Sequence, residues 1–335
     1  MVCASRRNRS DLFGDRLTRF TSENLAMEGE SGAAGRSYDR RILAAIVLSY
    51  RGITVKRFVT LAATIGGSAL LSIGGATAYA GSSAVAQAGG PMIRANGGAT
   101  AGGVPTISEN WSGYAATAPK KFTGVSSEFV QPAVTCPGKP KQYTSNWVGL
   151  DGFNNETVEQ DGTFGFCGGK HNTTPEYDAW YEMYPAGSVN VFKVKPGDVM
   201  DASVKYYKGK FTLTIADKTS GKTATDVAAC STCERTSAEW IIERPAGCDA
   251  SGCFLFALAD FGTTTMSKDW AGTGGGLRSI SSFTTTYPIY MVQPLNSGGF
   301  ISLDAVGPID SSNSSFQAVW ERSGRPTPIT LGPRQ

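Results

Sequence analysis

Carboxylates, tryptophans and one glutamine recur in this chain at spacings that set them side by side. The segments are Glu109-Asn110-Trp111-Ser112-Gly113-Tyr114, Trp147-Val148-Gly149-Leu150-Asp151-Gly152, Tyr177-Asp178-Ala179-Trp180-Tyr181-Glu182-Met183-Tyr184-Pro185 and Ala238-Glu239-Trp240-Ile241-Ile242-Glu243, with Gln160 between the second and third. Each reads as a short strand, in which alternate residues share a face. Trp147 then points with Asp151, Asp178 with Trp180, Glu182 and Tyr184, and Glu239 with Glu243, while Trp240 alternates away into packing. Acids and indoles on one face line a polar, aromatic cleft rather than a dry core. A carboxylate there can take a proton from water and return it to a leaving group, most effectively when its pKa lies near the working pH. A glutamine amide stays neutral and donates hydrogen bonds at any pH, which suits it to stabilise an oxyanion. Periodicity alone does not choose between Glu239 and Glu243 as the base.

Other chemistries lack their residues. The chain holds a single histidine, His171, in a Gly/Asn/Thr loop, so neither a His-rich metal site nor a Ser-His-Asp triad with a nucleophile turn is expected. Cys230-Ser231-Thr232-Cys233 has no second CxxC to complete a zinc site, and no Gly-rich phosphate loop opens a helix. We therefore expect no metal and no cofactor.

Positioning such a cleft calls for an all-β scaffold. Gly is abundant, with 41 residues, and charged residues are few at 18%. Runs of β-branched and aromatic residues between turn signals predict strands over 127–134, 144–151, 157–166, 177–184, 189–194, 199–207, 210–217, 222–229, 237–243, 255–261, 279–286, 289–291, 301–306 and 315–320. Lys208-Gly209 and Ser220-Gly221 read as hairpin turns. About fourteen strands fit two stacked antiparallel sheets. The net charge of +3 sits upstream: residues 81–335 carry 20 Lys/Arg against 22 Asp/Glu, leaving no basic face for nucleic acid.

Residues 55–80 have the basic start, the apolar middle and the small-x-small end of a signal peptide. Residues 1–54 match no targeting plan and read as a non-native upstream extension, with Val55 as the start. Residues 81–107 read as a flexible leader or short propeptide, 108–325 as one β-sandwich domain and 326–335 as a tail. Six cysteines follow the signal segment, an even set that suits an oxidising, extracellular compartment. Cys248 and Cys253 suit a pinned hairpin turn, while Cys136, Cys167, Cys230 and Cys233 admit three pairings.

In their order and separation these segments resemble the glutamic peptidases, or eqolisins, over roughly 108–320. The resemblance implies a concanavalin-A-like (lectin-like) sandwich of two antiparallel sheets, about seven strands each, and an acid endopeptidase working through a Gln/Glu pair. It assigns the catalytic glutamine to Gln160 and the glutamate to Glu243. Trp111, Trp147, Asp151, Asp178, Trp180, Glu182 and Tyr184 fall on the family's substrate-binding lining. Departures are Asp161-Gly162 after the glutamine, Arg244-Pro245 after the glutamate, and Phe153-Asn154-Asn155 where a cysteine is common, so a long-range disulfide must differ or be absent. Expected partners are protein or peptide substrates met by a monomer, with no stable membrane association once the signal is removed. The alternatives are a β-sandwich glycoside hydrolase pairing Glu182 with Glu243, and a non-catalytic lectin-like module.

Overall fold

The computed structural model describes residues 86–87, 89–95, 106–249 and 252–329. The upstream extension (1–54), the signal segment (55–80) and the end of the tail (330–335) lie outside them. The expected alternation is plain in Lys210–Asp217, where Phe211, Leu213 and Ile215 are buried, Thr212 and Thr214 half-buried and Lys210 exposed. Lys208-Gly209 turns this strand back on Val199–Tyr207 with φ of 46° and 84°, the left-handed pair that a two-residue hairpin requires.

The strands form two large, predominantly antiparallel sheets. A ten-stranded sheet has the order Phe300–Ser302, Thr285–Pro294, Trp111–Thr117, Ser237–Glu243, Gln142–Leu150, Val158–Gly168, Thr174–Tyr184, Val189–Lys193. Two short parallel additions complete it: Thr106–Ser108 on Thr285–Pro294, and Ala257–Leu258 on Gln142–Leu150. The other sheet has eight strands, among them Gly124–Val130, Thr263–Gly272 and Ser315–Trp320. A small four-stranded sheet contains the Ala246–Asp249 and Gly252–Leu255 hairpin pinned by Cys248–Cys253. The all-β sandwich is thus as expected, but with more strands than about seven per sheet.

The core lies between the two large sheets. Val148, Leu150, Trp240 and Ile242 face Phe129, Met200, Val204, Leu213, Met266 and Phe316 in one buried cluster. Trp240 packs there as expected, its Nε1 donating to Ser126 O at 2.9 Å. The ten-stranded sheet carries a second cluster, Met92, Trp111, Trp147, Phe153, Phe164, Trp180 and Ile241. These belong to the opposite alternation of the same strands, which is why Gln142–Leu150 and Ser237–Glu243 are buried along their whole length.

Three strand expectations are corrected. Residues 255–261 are split between Gly252–Leu255 and Ala257–Leu258, residues 301–306 between Phe300–Ser302 and Asp304–Val306 in different sheets, and Ile280–Ser282, within the expected 279–286, is a 3-10 turn. Thr263–Gly272 went unpredicted because its register breaks at a bulge between Ser267 and Trp270, with Lys268 at φ 53°, so no run of period two is long enough to see. The other four cysteines among the described residues pair as Cys136–Cys167 and Cys230–Cys233. The first supplies a long-range link, and the second removes both sulfurs of the CxxC from metal binding.

Candidate active site

Four neighbouring strands carry the site, and their register orders it into rows. Glu239, Gly149, Gln160 and Glu182 lie side by side across them; the next row is Ile241, Trp147, Gly162 and Trp180; the next is Glu243, Ser145, Phe164 and Asp178. Gln160 and Glu243 therefore share a face without being direct neighbours. Glycine allows Trp147 to fill the space between them. A Cβ on Gly162 would lie 2.2 Å from Asn146 O and 2.6 Å from Trp147 Cβ, and one on Gly149 would lie 2.9 Å from the indole. With both Cβ atoms absent, Trp147 lies against the sheet and its Nε1 donates to Glu243 Oε2 at 2.8 Å.

The other side of Glu243 is held by Asn110, whose Nδ2 donates to Oε1 at 3.2 Å. Gln160 Nε2 donates to Glu182 Oε2 at 2.7 Å and to the peptide oxygen of Gly89 at 2.5 Å. Both side chains reach one point: a Cβ on Gly89 would sit 2.4 Å from Glu243 Oε2 and 2.9 Å from Gln160 Oε1. The expected pair thus converges, and on a peptide group.

Burial sets the electrostatics. Desolvation pushes the Glu243 carboxyl up to about 8, against the hydrogen bonds from Trp147 and Asn110 and the neighbouring Trp111 indole and Gly89 backbone, which all lower it. Glu182 is pushed well above the usual carboxylate range, first by burial and then by the charge of Glu243, with Gln160 opposing. Glu239, the rival base, is fully buried and raised by desolvation, with Asp151 and Glu159 adding repulsion. It belongs to that second acidic group.

The expected lining residues fall into two sets. Trp111 meets Trp147 edge-on with centroids 4.9 Å apart, Trp180 stacks on Phe164 at 5.2 Å, and Tyr184 lies against Gly90, where a Cβ would be 3.3 Å from its ring. Asp151 is a correction. It follows the last residue of its strand with φ 72°, so alternation no longer aims it. Its carboxylate instead accepts from the Glu234, Arg235 and Thr236 N–H groups, Thr236 Oγ1 and Asn155 Nδ2. Asp178 is likewise engaged away from the pair, in a 3.0 Å ion pair with Lys193. Sequence reasoning missed Asn110, whose signal was a buried-type amide directly before the Trp111 strand. It also missed residues 89–95, which have no periodicity to read.

Known proteins place the chain in a family. The Peptidase A4 family model matches residues 109–296. Aspergillopepsin-2 of Aspergillus niger is 31% identical over 202 residues, covering 53% of this chain and 69% of that protein. Scytalidopepsin B of Scytalidium lignicola is 30% identical over 181 residues, covering 51% and 66%. A crystal structure of scytalido-glutamic peptidase with a transition state analog inhibitor superposes with a TM-score of 0.53 at 21% identity, over 64% of this chain and 98% of that one. The sandwich, the matched segments and the convergent Gln160 and Glu243 lead to one assignment: the chain belongs to the Peptidase A4 family, the glutamic peptidases or eqolisins.

Proposed function

We propose that this peptidase is a secreted acid endopeptidase in which Glu243 and Gln160 hold and activate a water molecule. Glu243, once ionised, takes a proton from that water as its oxygen attacks the scissile carbonyl carbon. Gln160 Nε2 donates to the carbonyl oxygen as it gains negative charge, an interaction strongest in the transition state. Glu243 then passes the proton to the leaving amine as the C–N bond breaks. Glu182, bonded to the same Nε2, turns the amide so that its donors face the substrate. One observation carries the reading: Gln160 Nε2 already donates to a peptide carbonyl, that of Gly89, at a point Glu243 also reaches.

Substrates would be extended or unfolded protein laid over Trp111, Trp147 and Trp180 by a monomeric enzyme that needs no metal. Three disulfides among the described residues support an extracellular setting. The matched relatives are peptidases, which sets aside the glycoside-hydrolase and lectin alternatives. Gln160→Ala should fold as judged by circular dichroism and lower kcat on a denatured protein by roughly 10²–10³-fold, the loss typical of one oxyanion donor. Undiminished turnover in that variant would overturn the role given to Gln160.

A further inference from the structure

The Cys230–Cys233 pair takes no part in the proposed hydrolysis and has the surroundings of a reactive disulfide. It lies between the strands Lys222–Ala229 and Ser237–Glu243, and the two residues it encloses, Ser231 and Thr232, are exposed. A bridge across three residues restrains the unfolded chain less than Cys136–Cys167, which spans 31, because the entropy removed grows with the loop closed. Stability is thus a weak reason for its presence. Two donors meet on one of its sulfurs. Cys230 Sγ accepts from the Cys233 N–H at 3.1 Å and from the Thr232 hydroxyl at 3.5 Å, the hydroxyl donating because a disulfide sulfur carries no hydrogen. Such donors favour the thiolate of Cys230, and a thiol of lowered pKa leaves a disulfide faster.

A buried acid stands beside the pair. An oxygen of the Glu159 carboxyl and the two sulfurs lie within 4.8 Å of one another. Glu159 alternates away from Gln160 and shares its row with Leu150 and Met183, so it is separate from the peptide groove. Among the described residues no donor reaches either of its oxygens in hydrogen-bond geometry. Desolvation, and then the charge of Asp151, hold this carboxyl up at about 9, so it carries a proton at neutral pH. We propose that Cys230–Cys233 is a thiol–disulfide exchange site that accepts electrons from a dithiol, with Glu159 as its proton donor. A thiolate of the dithiol attacks Cys233 Sγ and forms a mixed disulfide. The Cys230–Cys233 bond breaks with its electron pair going to Cys230 Sγ, which Thr232 and the Cys233 N–H hold and Glu159 protonates. The second thiol of the dithiol, deprotonated by the Glu159 carboxylate, then displaces Cys233, which takes its proton from solvent. Two electrons and two protons have passed to the cysteines, and the dithiol has become a disulfide. A cavity of about 430 Å³, walled in part by Thr157, Thr232 and Glu234, gives the dithiol a place beside the pair.

The test treats the folded full chain with dithiothreitol at neutral pH, blocks the freed thiols with iodoacetamide at intervals, and follows each cysteine by peptide mass. Cys248 and Cys253 are exposed, whereas Cys230 and Cys233 are half-buried, so exposure alone would open Cys248–Cys253 first. Exchange at Cys230–Cys233 should instead be faster by about tenfold or more, the factor that one hydrogen bond to a charged sulfur is worth. Glu159→Gln, which keeps the shape of a protonated carboxyl, should slow Cys230–Cys233 by about tenfold and leave Cys248–Cys253 unchanged. Cys248–Cys253 opening first or equally fast in wild type would overturn the proposal. So would an unchanged rate at Cys230–Cys233 in Glu159→Gln, or an equal slowing of both disulfides, which would mark a change in the fold rather than at the sulfurs. Should Glu159→Gln not fold, Thr232→Ala at its exposed position decides: severalfold slower opening of Cys230–Cys233 alone sustains the site, and an unaltered rate ends it.

Discussion

At the scale of single residues, each carboxylate on the sheet is distinguished by what donates to it. Glu182 takes one hydrogen of the Gln160 amide, so Glu182→Ala should free that amide to turn. We expect kcat to fall by up to about tenfold, the worth of one hydrogen bond to a neutral carboxyl, with KM little changed; steady-state kinetics on a denatured protein checks the split. Asp151 instead ties the chain at 234–236 to the end of its strand. Asp151→Ala should therefore cost roughly 3 kcal/mol of stability in urea unfolding, and KM should hold. The choice between Glu239 and Glu243 was not legible in the residues themselves. A period of two puts both on one face, and only their partners, Asp151 and Glu159 for one and Trp147 and Asn110 for the other, separate them. Asp151 misled because alternation was carried one residue past the strand's end.

Among the elements, the positions of Gly149 and Gly162 decide whether Trp147 can lie between the two functional groups. Gly162→Ala would place a methyl against the Asn146 carbonyl, which as backbone cannot move aside. We expect a loss of about 3 kcal/mol, read as a lower urea midpoint, together with reduced kcat as Trp147 loses its hold on Glu243. Strands such as Val199–Tyr207, Lys210–Asp217 and Lys222–Ala229 were legible to the residue because alternation and turn glycines agree there. Thr263–Gly272 was not, since its bulge resets the alternation midway. Residues 89–95 carry neither pattern. Their conformation comes from tertiary contacts with Asn110, Gly152 and Gln160, so local sequence could only mark them as leader.

For the molecule as a whole, buried acids set the pH range in which the sandwich holds. Desolvation raises Asp161, Asp269 and Glu239 well above their usual values, Asp304 to about 7 and Glu159 to about 9. A carboxyl whose folded pKa exceeds its unfolded one binds its proton more tightly when folded. Stability is therefore full below about pH 4 and falls as pH rises, by about 1.4 kcal/mol per unit for each such group, until its folded pKa is passed. Urea midpoints should drop steeply between pH 4 and pH 8, and equal midpoints at the two ends would refute this. Acid function was implied by the resemblance alone, and sequence could not show which carboxyls are dry. The account turns on Glu243 as the base. Its most direct test is the rate of unfolded-protein hydrolysis across the acid range, measured for wild type and Glu243→Gln after each has been held in acid until its rate is constant. Wild type should be active and Glu243→Gln, folded and isosteric, should show no hydrolysis at any pH. Turnover by Glu243→Gln within tenfold of wild type at any pH would contradict the account.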